Sequence, residues 1–105
     1  MKFTFINAFE IGEKTNEQLK NLLQSCFPEA EFQQRTYFKQ LPHYRILATE
    51  NEQLVGHLGI DYRVMNLNGE AVKVLGVIDL CVSPSLQNKG IGTKLMQKFE
   101  AVAKR

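Results

Sequence analysis

Apolar and polar positions follow several different periods along this chain. Phe3, Phe5 and the neighbouring Ile6 show partial alternation and predict a short first strand ending near Asn7. Leu19, Leu22, Leu23 and Cys26 then recur at i, i+3, i+4 and i+7, the stripe of an amphipathic helix that Pro28 stops. Thr15 followed by Gln18 reads as a capping box at its start. From Glu29 to Pro42 the pattern weakens, and Phe32, Tyr37, Phe38 and Leu41 fit either a short helix or a packed loop.

Alternation returns at Tyr44–Thr49, and Asn51 with Glu52 supplies a turn into a second extended run, Leu54–Met65. Side chains alternate across a strand, so Leu58, Ile60, Tyr62 and Val64 share a core face while His57, Gly59, Asp61 and Arg63 share an exposed polar one. Asn68-Gly69 tolerates the positive φ of a two-residue hairpin turn and returns the chain along Ala71–Val82. That strand is apolar on both parities at Val72, Val74, Leu75, Val77, Ile78 and Leu80, which predicts a central position covered on both faces. After Ser83-Pro84 and a short polar loop, Ile91, Leu95, Phe99 and Val102 mark a final helix packed on the sheet. The predicted class is mixed α/β, a mostly antiparallel sheet with helices layered on both faces.

A chain of 105 residues supports one domain around one core, and 44% apolar with 23% charged residues fits an ordinary globular protein. A net charge of +2, without clustered basic and aromatic residues, gives no basis for nucleic-acid binding. No apolar run approaches the roughly 20 residues that span a bilayer, and Met1–Glu10 lacks a signal-peptide core, so no membrane association and a cytoplasmic location are expected. Cys26 and Cys81 lie in apolar segments without metal-ligand spacing and read as buried free thiols; no metal is expected.

The chemistry is concentrated between Asp79 and Thr93, where an apolar strand passes through a turn into a helix. The first amides of a helix lack acceptors and carry the positive end of its dipole, so this geometry holds anions. Gly90 and Gly92 let a ligand approach the backbone, and Lys89 adds a cation. A Walker A loop would need G-x-x-x-x-G-K-S/T, and a dinucleotide fingerprint would need glycine where Leu95 stands; both fail. Gln87-x-x-Gly90-x-Gly92, following Leu80-Cys81-Val82, instead resembles the acetyl-CoA signature of the GNAT family of N-acetyltransferases, and the upstream order of elements is similar to that family across the chain.

The resemblance implies acetyl-CoA as cosubstrate. Backbone amides of Gln87, Asn88, Lys89, Gly90, Ile91, Gly92 and Thr93 would hold its pyrophosphate, and Leu80, Cys81 and Val82 would pair with the pantetheine arm as an added strand. The Val82 amide would polarise the thioester carbonyl as an oxyanion donor. The acceptor, a primary amine of a small molecule or peptide, must lose a proton first. Asp79 lies beside the expected thioester and either orients or deprotonates the amine or caps a neighbouring element. His57 and Asp61 are substrate candidates on the polar face of the preceding strand, where simple exposure also explains them. Lys94 and Lys98 fit either phosphate contacts or a solvated helix face.

The family resemblance also implies a further strand, a helix bearing in many members an acidic tyrosine, and more strands after the final helix. The chain is therefore read as a truncated, N-terminal part of that domain, with an unpaired sheet edge that a homodimer would cover. The competing function is a non-catalytic CoA-binding or interaction module, which a turnover assay separates from a transferase.

Overall fold

Asn51 and Glu52 adopt φ of 50° and 64°, and Asn68 and Gly69 adopt 52° and 86°. Both pairs take the left-handed conformation that a tight antiparallel hairpin turn demands. The two turns connect strands β2 (Tyr44–Glu50), β3 (Gln53–Leu67) and β4 (Glu70–Val82), while β1 (Lys2–Asn7) pairs antiparallel with β2. The computed structural model describes residues 1–28 and 41–104. Within them the sheet order is β1-β2-β3-β4, with helices α1 (Glu13–Cys26) and α2 (Ile91–Ala103) following β1 and β4. The unresolved reading around Phe32, Tyr37 and Phe38 lies outside the described residues.

The helices pack on opposite faces. Leu19, Leu22 and Leu23 of α1 meet Leu47, Leu54 and Cys81, whereas Ile91 and Leu95 of α2 meet Ile46, Ala48, Val55, Leu58 and Ile60. Each helix presents one apolar stripe, and burial of those stripes is the main force joining the layers. A bulge adjusts β3 between them. Thr49 pairs with Leu54 and Ala48 with Gly56, leaving Val55 as the extra residue. Gly56 consequently faces α2 with Val55, where an added Cβ would lie 3.2 Å from both Ile91 and Leu95.

Four expectations are corrected. Gly12, not Thr15, caps α1, with no side-chain hydrogen bond. Gln18 is engaged elsewhere: its Oε1 accepts the Leu54 N–H at 2.6 Å, and its Nε2 donates to the Glu52 carbonyl at 3.4 Å. The helix thus clasps the β2–β3 turn. The supposedly polar face of β3 is not exposed: α1 packs on it at Leu54, Pro42 lies against Gly59, and the strand is buried from Leu54 to Asp61. Beyond Ile60, β3 has no partner on β2, and the β3–β4 hairpin continues as an arm; Val64, expected in the core, is 59% exposed, and Tyr62 is only half-buried. Finally, β4 is an outer strand rather than a central one, since no strand among the described residues pairs with its other edge.

Candidate functional site

The outer edge of β4 and the start of α2 form one cleft. After Val82 the chain makes a 3₁₀ turn at Pro84–Leu86; Asn88 then turns with φ of 68° and Gly90 with φ of 81°, the latter serving as the N-cap of α2. No side chain caps the helix, so its first amides stay available to a ligand. The space before the glycines is open: an added Cβ would meet nothing within 4 Å at Gly90 and only Val82, at 3.8 Å, on Gly92. Ile91 and Leu95, buried against β3, fix the helix in place.

A cavity of about 440 Å³ fills this corner. Leu80, Cys81, Val82, Gln87, Asn88, Gly90, Ile91, Gly92 and Thr93 all line it, so the geometry brings nine of the ten predicted cofactor residues together. Lys89 is not part of the lining. Cys26, Phe27 and Leu86 complete it. The two α1-end residues were missed because the stripe that identified the helix assigned Cys26 only to packing.

The backbone groups at this edge can be oriented directly. Ser83 N–H donates to the Val55 carbonyl at 2.7 Å, toward β3. Alternation along a strand therefore turns the N–H and C=O of Val82 outward. The carbonyl accepts from the Cys26 thiol and from Gln87 Nε2, each at 3.2 Å. The Cys26 and Cys81 thiols are hydrogen-bonded to each other and free of disulfide. Burial raises the pKa of both; for Cys26 this is partly offset by hydrogen bonds donated to its sulfur, from the Cys81 thiol and then the Val82 backbone.

Just upstream, β4 carries a bulge. His57 pairs with Cys81 and Gly59 with Ile78, so Asp79 and Leu80 together oppose Leu58. Asp79 takes φ of 52°, a left-handed conformation that costs a non-glycine residue energy. It does not line the cavity but immediately precedes Leu80, which does. Burial raises its carboxyl pKa, and the positive charge of Arg45 partly counters that.

Burial corrects the exposed-face explanation of His57. His57 is fully buried, with Nδ1 2.9 Å from the Asp79 carbonyl and Nε2 2.9 Å from Arg45 Nη1. Arginine has no acceptor, so Nε2 accepts and Nδ1–H donates to the carbonyl, which fixes one neutral tautomer. Desolvation, then the adjacent Arg45 charge, push the imidazole pKa down to about 3 against the favourable contact with Asp79. Desolvation lowers Arg45 itself to about 10, opposed by Asp79, so it remains cationic at neutral pH. Asp61 is also buried, at 7% exposure, held by Arg63 Nε at 2.7 Å and close to His43 Nδ1 at 3.3 Å. His57 and Asp61 lie four residues apart on one strand, roughly 13 Å, and neither lines the cleft.

Comparison with known proteins bears on the family and the fold. The family model described as "Acetyltransferase (GNAT) family" matches residues 16–105, and the chain belongs to that family. No curated protein matches it. A ribosomal-protein-alanine N-acetyltransferase from Brucella melitensis biovar Abortus 2308 is similar in structure, with TM-score 0.73 and 15% identity, over 99% of this chain and 72% of the other. An acyl-CoA N-acyltransferase from Pseudomonas aeruginosa gives 0.71 and 18%, over 99% and 70%. An aminoglycoside acetyltransferase from an uncultured soil metagenomic sample, in complex with sisomicin, gives 0.69 and 21%, over 96% and 68%. These likenesses establish the GNAT fold. Among the described residues, no helix is long and apolar enough to cross a membrane, and no group of three or more His, Cys, Asp or Glu is placed to hold a metal.

Proposed function

We propose that this chain binds acetyl-CoA in the β4–α2 cleft and transfers the acetyl group to a primary amine. The observation that carries this reading is the uncapped start of α2, faced by open space at Gly90 and Gly92 and joined to an outward-turned Val82 in a single cavity. Those features match what the cosubstrate presents. The α2 amides suit a pyrophosphate, and the edge of β4, unpaired among the described residues, suits the amide-bearing pantetheine arm.

Acetyl-CoA supplies the activated acyl group; this chain's residues bind and orient it. The Val82 N–H, on the open edge, is positioned to donate to a thioester carbonyl, whose oxygen gains charge as the amine attacks. An alkyl amine with a pKa near 10 arrives protonated, and the Asp79 carboxylate, one residue before the cleft, is our candidate for accepting that proton. Similar structures named as a ribosomal-protein-alanine N-acetyltransferase and an aminoglycoside acetyltransferase support an amine as the acceptor class.

Calorimetric titration with acetyl-CoA tests the cofactor site. Wild type should bind, and Gly92→Asp, which sets a carboxylate against the pyrophosphate, should abolish binding while preserving the far-ultraviolet spectrum. Failure of folded wild type to bind removes the reading. An amine panel followed by thiol release then tests transfer: binding without release of CoA from any amine would make the protein a CoA-binding module.

A further inference from the structure

We propose that His57 is a positioning residue for acyl transfer: by holding the Asp79 carbonyl it maintains the β4 bulge that turns the Val82 N–H into the cleft. This rests on the acetyl-CoA reading above and adds a residue that touches neither cosubstrate nor acceptor.

The argument begins with parity. Successive N–H groups of a strand point to opposite edges, and inserting one extra residue exchanges which groups face the neighbour and which face out. The extra residue in β4 falls between Ile78 and Cys81, so the bulge sets the parity of Val82 relative to the long hairpin before it. In that bulge Asp79 sits at φ of 52°, a conformation that persists only where its surroundings hold it.

His57 is the group observed to hold it. The ring is fully buried on the α1 side of β3, and Nδ1 reaches the Asp79 carbonyl at 2.9 Å. Arg45, from β2, supplies the other half of the device. Its Nη1 occupies Nε2 at 2.9 Å, excludes the alternative tautomer and leaves Nδ1 as the donor. Among the described residues, the charged groups around the ring are Arg45 on β2 and Asp79 on β4; the thiol of its register partner Cys81 carries a raised pKa and stays neutral.

Three substitutions separate positioning from packing. In His57→Asn the side-chain NH₂ replaces Nδ1–H and can still hold the Asp79 carbonyl. In His57→Gln the amide extends toward the Nε2 position, satisfying Arg45 but not Asp79. His57→Leu supplies neither bond. The readouts are the carbonyl stretch of bound isotope-labelled acetyl-CoA and the ratio of acetyl-CoA to CoA affinity, both reporting on the thioester contact. Wild type and Asn should show the lowered stretch of a hydrogen-bonded carbonyl. Gln and Leu should lose it, and their acetyl-CoA preference should fall about five- to tenfold, the worth of one net hydrogen bond. If Leu does not fold, the Asn and Gln pair alone decides. Equal stretches and ratios in Asn and Gln overturn the proposal while leaving the cofactor site intact; absence of acetyl-CoA binding in wild type overturns both.

Discussion

The thiol of Cys26, last residue of α1, donates to the carbonyl of Val82 at 3.2 Å, tying the first helix to the edge strand of the cleft. That contact places a chemical probe beside the proposed thioester. Burial holds the Cys26 pKa above its usual value of 9.0, so less thiolate is present near neutrality than in an exposed cysteine. Iodoacetamide should therefore label Cys26 more slowly than a free cysteine peptide, and the more buried Cys81 more slowly still. Saturating acetyl-CoA should slow Cys26 further. Peptide mass spectrometry over time reads all three rates, and identical labelling with and without acetyl-CoA would place the ligand elsewhere.

Gly92→Ala separates binding from folding. Gly92 lies in the first turn of α2, where its prospective Cβ meets only Val82, at 3.8 Å. Alanine is the better helix former by ~1 kcal/mol, so the variant should match or exceed wild type in urea unfolding. Yet the methyl group stands in the cleft, and acetyl-CoA affinity should fall. Gly90→Ala behaves differently: at φ of 81° a side chain is strained, and roughly 1–2 kcal/mol of stability should be lost.

His57 gives the protein an acid-sensitive term. Its folded-state pKa of about 3 lies below the ordinary 6.5, so between those values the unfolded chain takes up a proton that the folded chain refuses. The stabilisation is complete above pH 6.5 and declines as pH falls, by ~1.4 kcal/mol per unit once well below that value. Asp79 works in the opposite sense at the acid end, because its carboxyl is raised in the folded state. Urea unfolding of wild type and His57→Asn from pH 7 to 5 should show the stability gap narrowing as pH drops. Parallel curves would mean that the imidazole is not held neutral.

Legibility from sequence followed the range of the interactions. The Asn51-Glu52 and Asn68-Gly69 turns, the α1 stripe and the Gln87-to-Gly92 loop are local, and each was readable from a few neighbouring residues. The failures involve distant partners. Thr15 and Gln18 satisfy a capping pattern, but Gln18 bonds to Leu54, 36 residues away, and the helix begins at Glu13, capped by Gly12. His57 has the parity of a polar face, and nothing in Leu54–Met65 announces that this face is buried or that Arg45 waits across the sheet. Both bulges, at Val55 and at Asp79 with Leu80, break the strict alternation on which strand reading depends. Asp79 at positive φ carries no glycine signal.

Gly56 shows how closely the sheet and the cleft helix are fitted. A Cβ there would stand 3.2 Å from Ile91 Cγ2, 3.2 Å from Leu95 Cδ1 and 3.3 Å from Ala48 Cβ, each tighter than ordinary contact. All three obstacles are side chains in a packed core, so accommodation requires small shifts of α2 away from β3 rather than one rotamer change. Gly56→Ala should cost ~1–3 kcal/mol from overpacking, less a fraction recovered by restricting the unfolded chain. Leu95→Val removes the Cδ1 obstacle and by itself opens a small cavity, at a cost of about 1 kcal/mol. The double variant should lose less than the sum of the singles, with a coupling of ~0.5 kcal/mol or more in urea unfolding. Because Ile91 both packs against Gly56 and lines the cleft, Gly56→Ala should also weaken acetyl-CoA binding, and Leu95→Val should restore part of it. Strict additivity would show that α2 yields without strain and that its position is not set by the glycine.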